Sequence, residues 1–220
     1  MSNPTYKIVR TERKSIALVI DNTANLVVRA PNKASDNEIA NYVEDKKRWI
    51  NEKQHHVSIF GEKHSSVIIE TGESIMYLGN SYTIILKSIS DVQCESNNIL
   101  IPSGYTKEDL ILWLKAEAKT ILSERVTRYA SLMGTCYPRI NITEARARWG
   151  SCGNKGNLNF AWRLIMCPMS AIDYVVVHEL SHIVYKNHNS GFWARVKTVI
   201  PNYREQQDWL HINQNLMQII

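Results

Sequence analysis

The sequence predicts an α+β fold. A β-rich N-terminal part with one inserted helix spans 1–104, and a mainly helical part with a β-hairpin beside one apolar helix spans 105–220. Three observations carry that expectation. Short runs rich in Ile and Val, punctuated by Asn, Asp, Gly and Pro, dominate the first hundred residues. Pro102-Ser103-Gly104 is the clearest break in the chain. Beyond it the apolar residues recur at helical spacing.

Taken in order, Tyr6 to Arg10, Ser15 to Ile20 and Asn25 to Ala30 read as strands, with Asp21-Asn22-Thr23-Ala24 as turn chemistry and Pro31 closing the meander. Ser35 and Glu38 have capping-box spacing, and Ile39, Val43 and Ile50 continue a helix to near His55-His56. Ser74 to Leu78, Tyr82 to Ile89 and Val92 to Ile101 form a second β block, with Gly79-Asn80 as its first turn. Thr106 and Asp109 cap a helix whose apolar face runs through Leu110, Leu114, Ala118, Ile121, Tyr129 and Leu132 to Gly134. Arg139 to Trp149 and Leu158 to Cys167 then read as strands joined by the Gly- and Asn-rich turn 150–157. Ser170 to Asp173 cap a third helix with the body Tyr174 to Tyr185. Gly191 to Ile200 and Arg204 to Leu216 close the chain as helices on either side of Pro201.

Composition excludes several classes. With 44% hydrophobic and 21% charged residues in 220, the chain has the apolar mass for a real core, so dominant disorder is excluded. Its longest apolar runs are five residues, against roughly 18–20 for a membrane-spanning helix. The N-terminus lacks the apolar region of a secretory signal, so cytoplasmic residence is expected. There the four cysteines, none in a C-x-x-C pair, are expected to be reduced. The net charge of +5 is uneven: residues 1–110 hold 13 basic and 14 acidic side chains, residues 111–220 hold 13 and 7. An excess of that kind attracts an acidic substrate face, a nucleotide or nucleic acid.

The decisive segment is His178-Glu179-Leu180-Ser181-His182, an H-E-x-x-H. Residues four apart on a helix lie one turn above one another, so both imidazoles point the same way, at a separation that suits Zn²⁺. Glu179, about 100° round the helix, reaches a water beside the ion rather than the ion itself. The helix is apolar almost all round, and unpartnered imidazoles and carboxylates in such a setting cost several kcal/mol, so a metal is the economical partner. For the third ligand, His188 stands six residues beyond His182, with Asn187 as the expected left-handed hinge between them. Glu205 and Asp208 on the last helix are the alternatives. His55, His56, His64 and His211 lack ligand spacing and are expected in solvent.

Two blocks of residues resemble a known family. One is Arg148-Trp149-Gly150-Ser151-Cys152 with Gly156, Asn157 and Trp162-Arg163-Leu164; the other is Val176-Val177-His178-Glu179-Leu180-Ser181-His182, continuing to Asn187-His188 and Phe192-Trp193. Together with the order of elements along nearly the whole chain, they resemble the YgjP-like predicted metal-dependent hydrolases, relatives of the SprT-like and minigluzincin metallopeptidases. The resemblance implies a zincin-like catalytic part, His178, His182 and His188 as ligands of one zinc ion, and Glu179 as the catalytic carboxylate. Where the family often has Ser-Pro after the third His, this chain has Asn189-Ser190, and either residue can cap the next helix.

The leading expectation is a zinc-dependent hydrolase, a metallopeptidase acting on peptide or protein substrates. One strand of the hairpin would pair with the extended chain. Arg146, Arg148 and Arg163 would bring positive charge near the ion, and Tyr185 or Arg163 would steady an oxyanion. The alternative is hydrolysis of an anionic nucleotide, a nucleoside triphosphate such as UTP. Against it stand a histidine-rich site that suits Mg²⁺ poorly and the absence of a phosphate-cradling Gly-rich loop. A DNA-associated protease, or a binding module stabilised by metal, is the third expectation.

Overall fold

Leu26, Val28 and Ala30 are buried along β3 (Leu26–Pro31) while their neighbours are not, so one face of this strand is apolar. In the computed structural model, which describes residues 6–13, 15–21, 24–60 and 69–218 (for Glu52 and 55–60 the backbone alone), β3 is the centre of a three-stranded sheet. It pairs in parallel with β1 (Tyr6–Thr11) and antiparallel with β2 (Ala17–Ile20). Ile39 and Val43 of α1 (Asp36–Asp45) and Ile50 of α2 (Lys47–Phe60) complete the cluster. The expected capping box is present: Ser35 Oγ accepts from the Glu38 N–H, and the Glu38 carboxylate accepts from the Ser35 N–H. The single expected helix is two, separated at Lys46, because Glu44 to Arg48 are all charged and give the core nothing to grip. Asn22, Thr23 and His64 lie outside the described residues, as do the side chains of His55 and His56.

The chain divides into two compact units, Met1–Ser66 and Val67–Ile220. The second unit holds a four-stranded sheet in the order β4 (Ser74–Tyr77), β5 (Asn80–Lys87), β7 (Asn98–Pro102) and β6 (Gln93–Glu95). The expected strand Val92 to Ile101 is a hairpin instead, because Ser96 takes a positive φ of 53° and reverses the chain between β6 and β7. Pro102–Gly104 leads from β7 into α3 (Lys107–Leu132), whose Thr106–Asp109 capping box forms as expected. Ile75, Ile84, Ile99 and Ile101 of this sheet share one core with Leu110, Leu114 and Val126 of α3.

A second sheet carries β10 (Leu158–Ala161) between β8 (Ile140–Thr143), parallel to it, and β9 (Gly150–Cys152), antiparallel to it. Here the expected hairpin shifts. The strand predicted over Arg139 to Trp149 stops at Thr143, and part of the predicted turn, Gly150–Cys152, is itself the strand facing β10. The strand predicted to Cys167 ends at Ala161 and becomes a fully buried 3-10 turn, Trp162–Met166. That turn is held by the β4–β5 corner, where the Leu78 and Gly79 N–H groups donate to the carbonyls of Ile165 and Met166 at 2.8 and 3.1 Å. Gly79 is obligatory at the corner: its φ is +81° and a Cβ would meet Pro168 at 2.7 Å.

Four helices complete the unit: α3, α4 (Met169–Val184), α5 (Ser190–Val199) and α6 (Tyr203–Ile212), with a 3-10 turn over Gln214–Gln218 where the last helix was expected to continue. The expected Ser170–Asp173 cap does not form. Pro168 stands at the N-cap of α4, and the Asp173 carboxylate instead accepts two bonds from Arg125 at 2.6 Å and one from the Tyr129 hydroxyl at 2.9 Å. This largely buried clamp ties α4 to α3. The architecture is α+β, with a β-rich N-terminal part and helices dominating the C-terminal half. No helix among the described residues is long and apolar enough to cross a membrane.

Candidate metal centre

α4 carries apolar residues on most of its surface, so its buried run Val175, Val176, Val177 and Leu180 fixes the helix in the core and leaves one edge to polar chemistry. His178 and His182 sit on that edge one turn apart. The helix ends at Tyr185, whose backbone is extended (φ −114°, ψ 108°), and the chain doubles back to present His188. This is a correction to the expected hinge. Among the described residues the non-glycine positive φ angles belong to Ala24, Leu78 and Ser96, so Asn187 is not left-handed and an extended Tyr185 starts the reversal.

The three imidazoles converge. His188 Nε2 lies 3.0 Å from His178 Nε2 and 3.1 Å from His182 Nε2. The far nitrogens explain which atoms face inward. His182 Nδ1 is 3.0 Å from the Tyr185 carbonyl, which can only accept, so Nδ1 bears the hydrogen and Nε2 offers its lone pair to the centre. His178 Nδ1 lies 3.2 Å from the Tyr174 hydroxyl, which can donate or accept, so this contact orients the ring without fixing its tautomer. Burial, then the neighbouring His182 and His188, drives the His178 pKa down to about 3, and burial followed by His182 lowers that of His188. Neutral imidazoles are the form that ligates. Three ligand nitrogens within 4.8 Å of one another can hold a metal ion, and these are the residues expected from the sequence. The alternative ligands stand elsewhere on α6, where Glu205 accepts from Asn202 Nδ2 at 2.9 Å.

An aromatic bed supports the triad. The Phe192 ring centre lies 4.9, 4.6 and 4.7 Å from those of His178, His182 and His188. His188 is exposed and belongs to no helix, and Trp193 stacks on it at 5.5 Å with 22° between planes. Tyr203 in turn stacks on Trp193 at 5.1 Å.

Glu179 is 6% exposed and packs on β9. Burial raises its pKa to about 7, against the pull of Arg148 and of a hydrogen bond from the Cys152 backbone N–H. Its Oε2 is buried and has no hydrogen-bond partner among the described residues. Gly150, Ser151, Cys152, Glu179, Lys186 and the three histidines line one cleft of ≈ 510 Å³, within the usual range for a ligand site.

The other residues expected at the site are dispersed. Arg148 lines an adjoining cavity. Arg163 is 2% exposed, stacks over Trp162 at 4.4 Å and lies 3.7 Å from Glu144. Arg146 offers its carbonyl to Gln218 at 3.1 Å. Tyr185 contributes that carbonyl to His182, while its ring covers Gly191. Sequence reasoning missed Tyr174, Lys186 and the pairing of Phe192 and Trp193 with the histidines. Of these Tyr174 was legible, since it precedes His178 by one helical turn.

Comparison with known proteins adds one finding. The family model described as YgjP-like, metallopeptidase domain, matches residues 14–213. No curated protein and no solved structure matches the chain. A match over nearly the whole length, with a histidine triad inside the matched residues, identifies a metal-dependent hydrolase: the chain belongs to the YgjP-like family and carries its metallopeptidase domain.

Proposed function

We propose that the protein is a zinc peptidase in which His178, His182 and His188 hold one ion and Glu179 is the general base. The observation that carries this reading is Glu179, a buried carboxylate with one oxygen unbonded beside three convergent imidazole nitrogens. A purely structural zinc site would normally have four protein ligands and no use for such a group. An all-imidazole set favours Zn²⁺ over Mg²⁺ or Ca²⁺, which take oxygen ligands.

Bound there, zinc would supply Lewis acidity, acidifying water and polarising the scissile carbonyl. The chain's own groups do the rest. Glu179 Oε2 takes a proton from the attacking water and returns it to the leaving nitrogen. Arg148 offsets part of the burial that would keep Glu179 protonated. The outer edge of β9 receives the substrate. The Gly153 N–H bonds to the Asn157 carbonyl and the Ala161 N–H to the Trp149 carbonyl, so by alternation Ser151 also faces β10, while the main-chain groups of Gly150 and Cys152 face the cleft. Cys152 gives its N–H to Glu179. The remaining groups are available to an extended peptide.

Arg148 and Lys186 beside the cleft also suit an anionic substrate, so the test has two arms. Wild type and Glu179→Gln are compared on a peptide pool and on UTP, with metal content measured by elemental analysis. Peptide cleavage lost in Glu179→Gln, with one zinc per chain retained in both proteins, is the expected result. Cleavage of UTP with no peptide cleaved would overturn the peptidase reading, and equal activity of the two proteins would remove Glu179 from the mechanism.

A further inference from the structure

Next to the metal cleft, and sharing Gly150 and Ser151 with it, lies a second cavity of ≈ 240 Å³. Sheet register explains its character. Asn159 pairs with Ser151 and Ala161 with Thr143, so these four side chains stand on one face, while Leu158 and Phe160 on the other face are fully buried. Arg148 stands at the same cavity.

The hydrogen bonds decide what this face can recognise. Asn159 Nδ2 donates to the Ser151 carbonyl and hydroxyl oxygens at 3.3 Å, and its Oδ1 accepts from Asn141 Nδ2 at 2.8 Å. Asn159 is therefore occupied at both ends. Thr143 donates to the Phe160 carbonyl at 3.2 Å. Ser151 Oγ acts as an acceptor in this network, which leaves its own O–H to be donated. Arg148 is exposed and, among the described residues, forms no ion pair; the acid it acts on is Glu179. The cavity thus offers one hydroxyl donor and one guanidinium, a pairing suited to a carboxylate.

We infer that this cavity is a specificity subsite for an acidic side chain, Asp or Glu, of the peptide substrate. The inference rests on the peptidase reading above. A peptide laid along the outer edge of β9 sends alternate side chains to opposite faces of the sheet. Those on the Ser151 side enter the cavity, and those on the Gly150 side face Glu179 and α4. A carboxylate arriving there accepts from the Ser151 O–H and from Arg148. A lysine in its place would bring two cations together, and a glutamine would forgo the charge-assisted bond.

The experiment measures kcat/KM for peptides carrying Glu, Gln or Lys at each position flanking the cleaved bond, with wild type, Arg148→Gln and Arg148→Glu. The ratio between peptides is the readout, because Arg148 also acts on Glu179 and its loss lowers every rate together. At one position wild type should prefer Glu over Gln about tenfold. Arg148→Gln should bring that ratio to within about twofold, and Arg148→Glu should favour Lys. Should an Arg148 variant lose all turnover, the same ratio is read as peptide affinities for Glu179→Gln with and without the Arg148 change. Peptide cleavage with the same preferences in all three proteins overturns the subsite and leaves the peptidase reading standing. A wild type that cuts no peptide of the series, while Glu179→Gln binds none, overturns both.

Discussion

The carboxylate of Glu179 rests on the backbone of Gly150: a β-carbon on that glycine would lie 2.8 Å from both Glu179 Cγ and Oε1. No side chain fits between β9 and α4 at this point, so the glycine fixes how closely the strand approaches the carboxylate proposed as general base. Gly150→Ala should lower kcat/KM by about a hundredfold by displacing Glu179, since small errors in the placement of a base are costly. Zinc content and the far-ultraviolet circular dichroism should be unchanged. Full activity in this variant would show that the contact is not restrictive.

Glu179 is also a stability liability that pH reveals. Its ordinary value of 4.5 is raised to about 7 in the folded, metal-free chain, first by burial. The folded state therefore holds this proton more tightly than the unfolded one. The stability it confers is complete below pH 4.5 and is lost as pH rises through about 7. In chelated protein, Glu179→Gln should be more stable than wild type at pH 8, by on the order of 2–3 kcal/mol. At pH 4 the two should unfold alike. Urea titrations at the two pH values check this, and an equal difference at both would rule out ionisation as the cause.

His188 depends on Trp193. The exposed imidazole lies outside any helix, and the indole stacked at 5.5 Å orients it. Trp193→Ala should weaken zinc binding about 10- to 100-fold, and Trp193→Phe should recover most of the loss. Competition with a chromophoric chelator measures both. Unchanged affinity in Trp193→Ala would mean that Phe192 alone holds the ring.

The clamp from α3 to α4 should matter to stability rather than to chemistry. Arg125 and Asp173 are each little exposed, at 13% and 12%. Arg125→Met leaves the Asp173 charge with the Tyr129 hydroxyl as its remaining hydrogen-bond donor and should cost about 3 kcal/mol. Denaturant unfolding is the measure. A cost below about 1 kcal/mol would place the pair with ordinary surface ion pairs.

Much of the site is legible in the order of the amino acids. His178, His182 and Glu179 are related by helical spacing, and a buried helix imposes that spacing whatever surrounds it. The capping boxes at Ser35 and Thr106 form as expected because both partners of each lie within three residues. Local rules failed where a distant residue claimed the same group. Asp173 has the spacing of a cap, but Arg125 takes both its oxygens. The strand expected beyond Ala161 coils into a buried turn because the β4–β5 corner supplies its hydrogen-bond donors. Asn187 suited a left-handed hinge, yet the chain bends at Lys186 and Asn187 without a left-handed residue, after an extended Tyr185 has placed its carbonyl on His182.

Backbone periodicity and short spacings were enough to specify the α+β class and the H-E-x-x-H helix, with His188, six positions beyond His182, as a candidate third ligand. Both are local properties, carried by neighbours along the chain. Only the assembled fold buries Glu179 against Gly150, stacks Trp193 on His188, and sets Arg148 rather than Arg146 or Arg163 at the cavity beside the metal cleft. Each of these joins separate elements, and the desolvation and charge felt by a side chain come from what other segments bring to it.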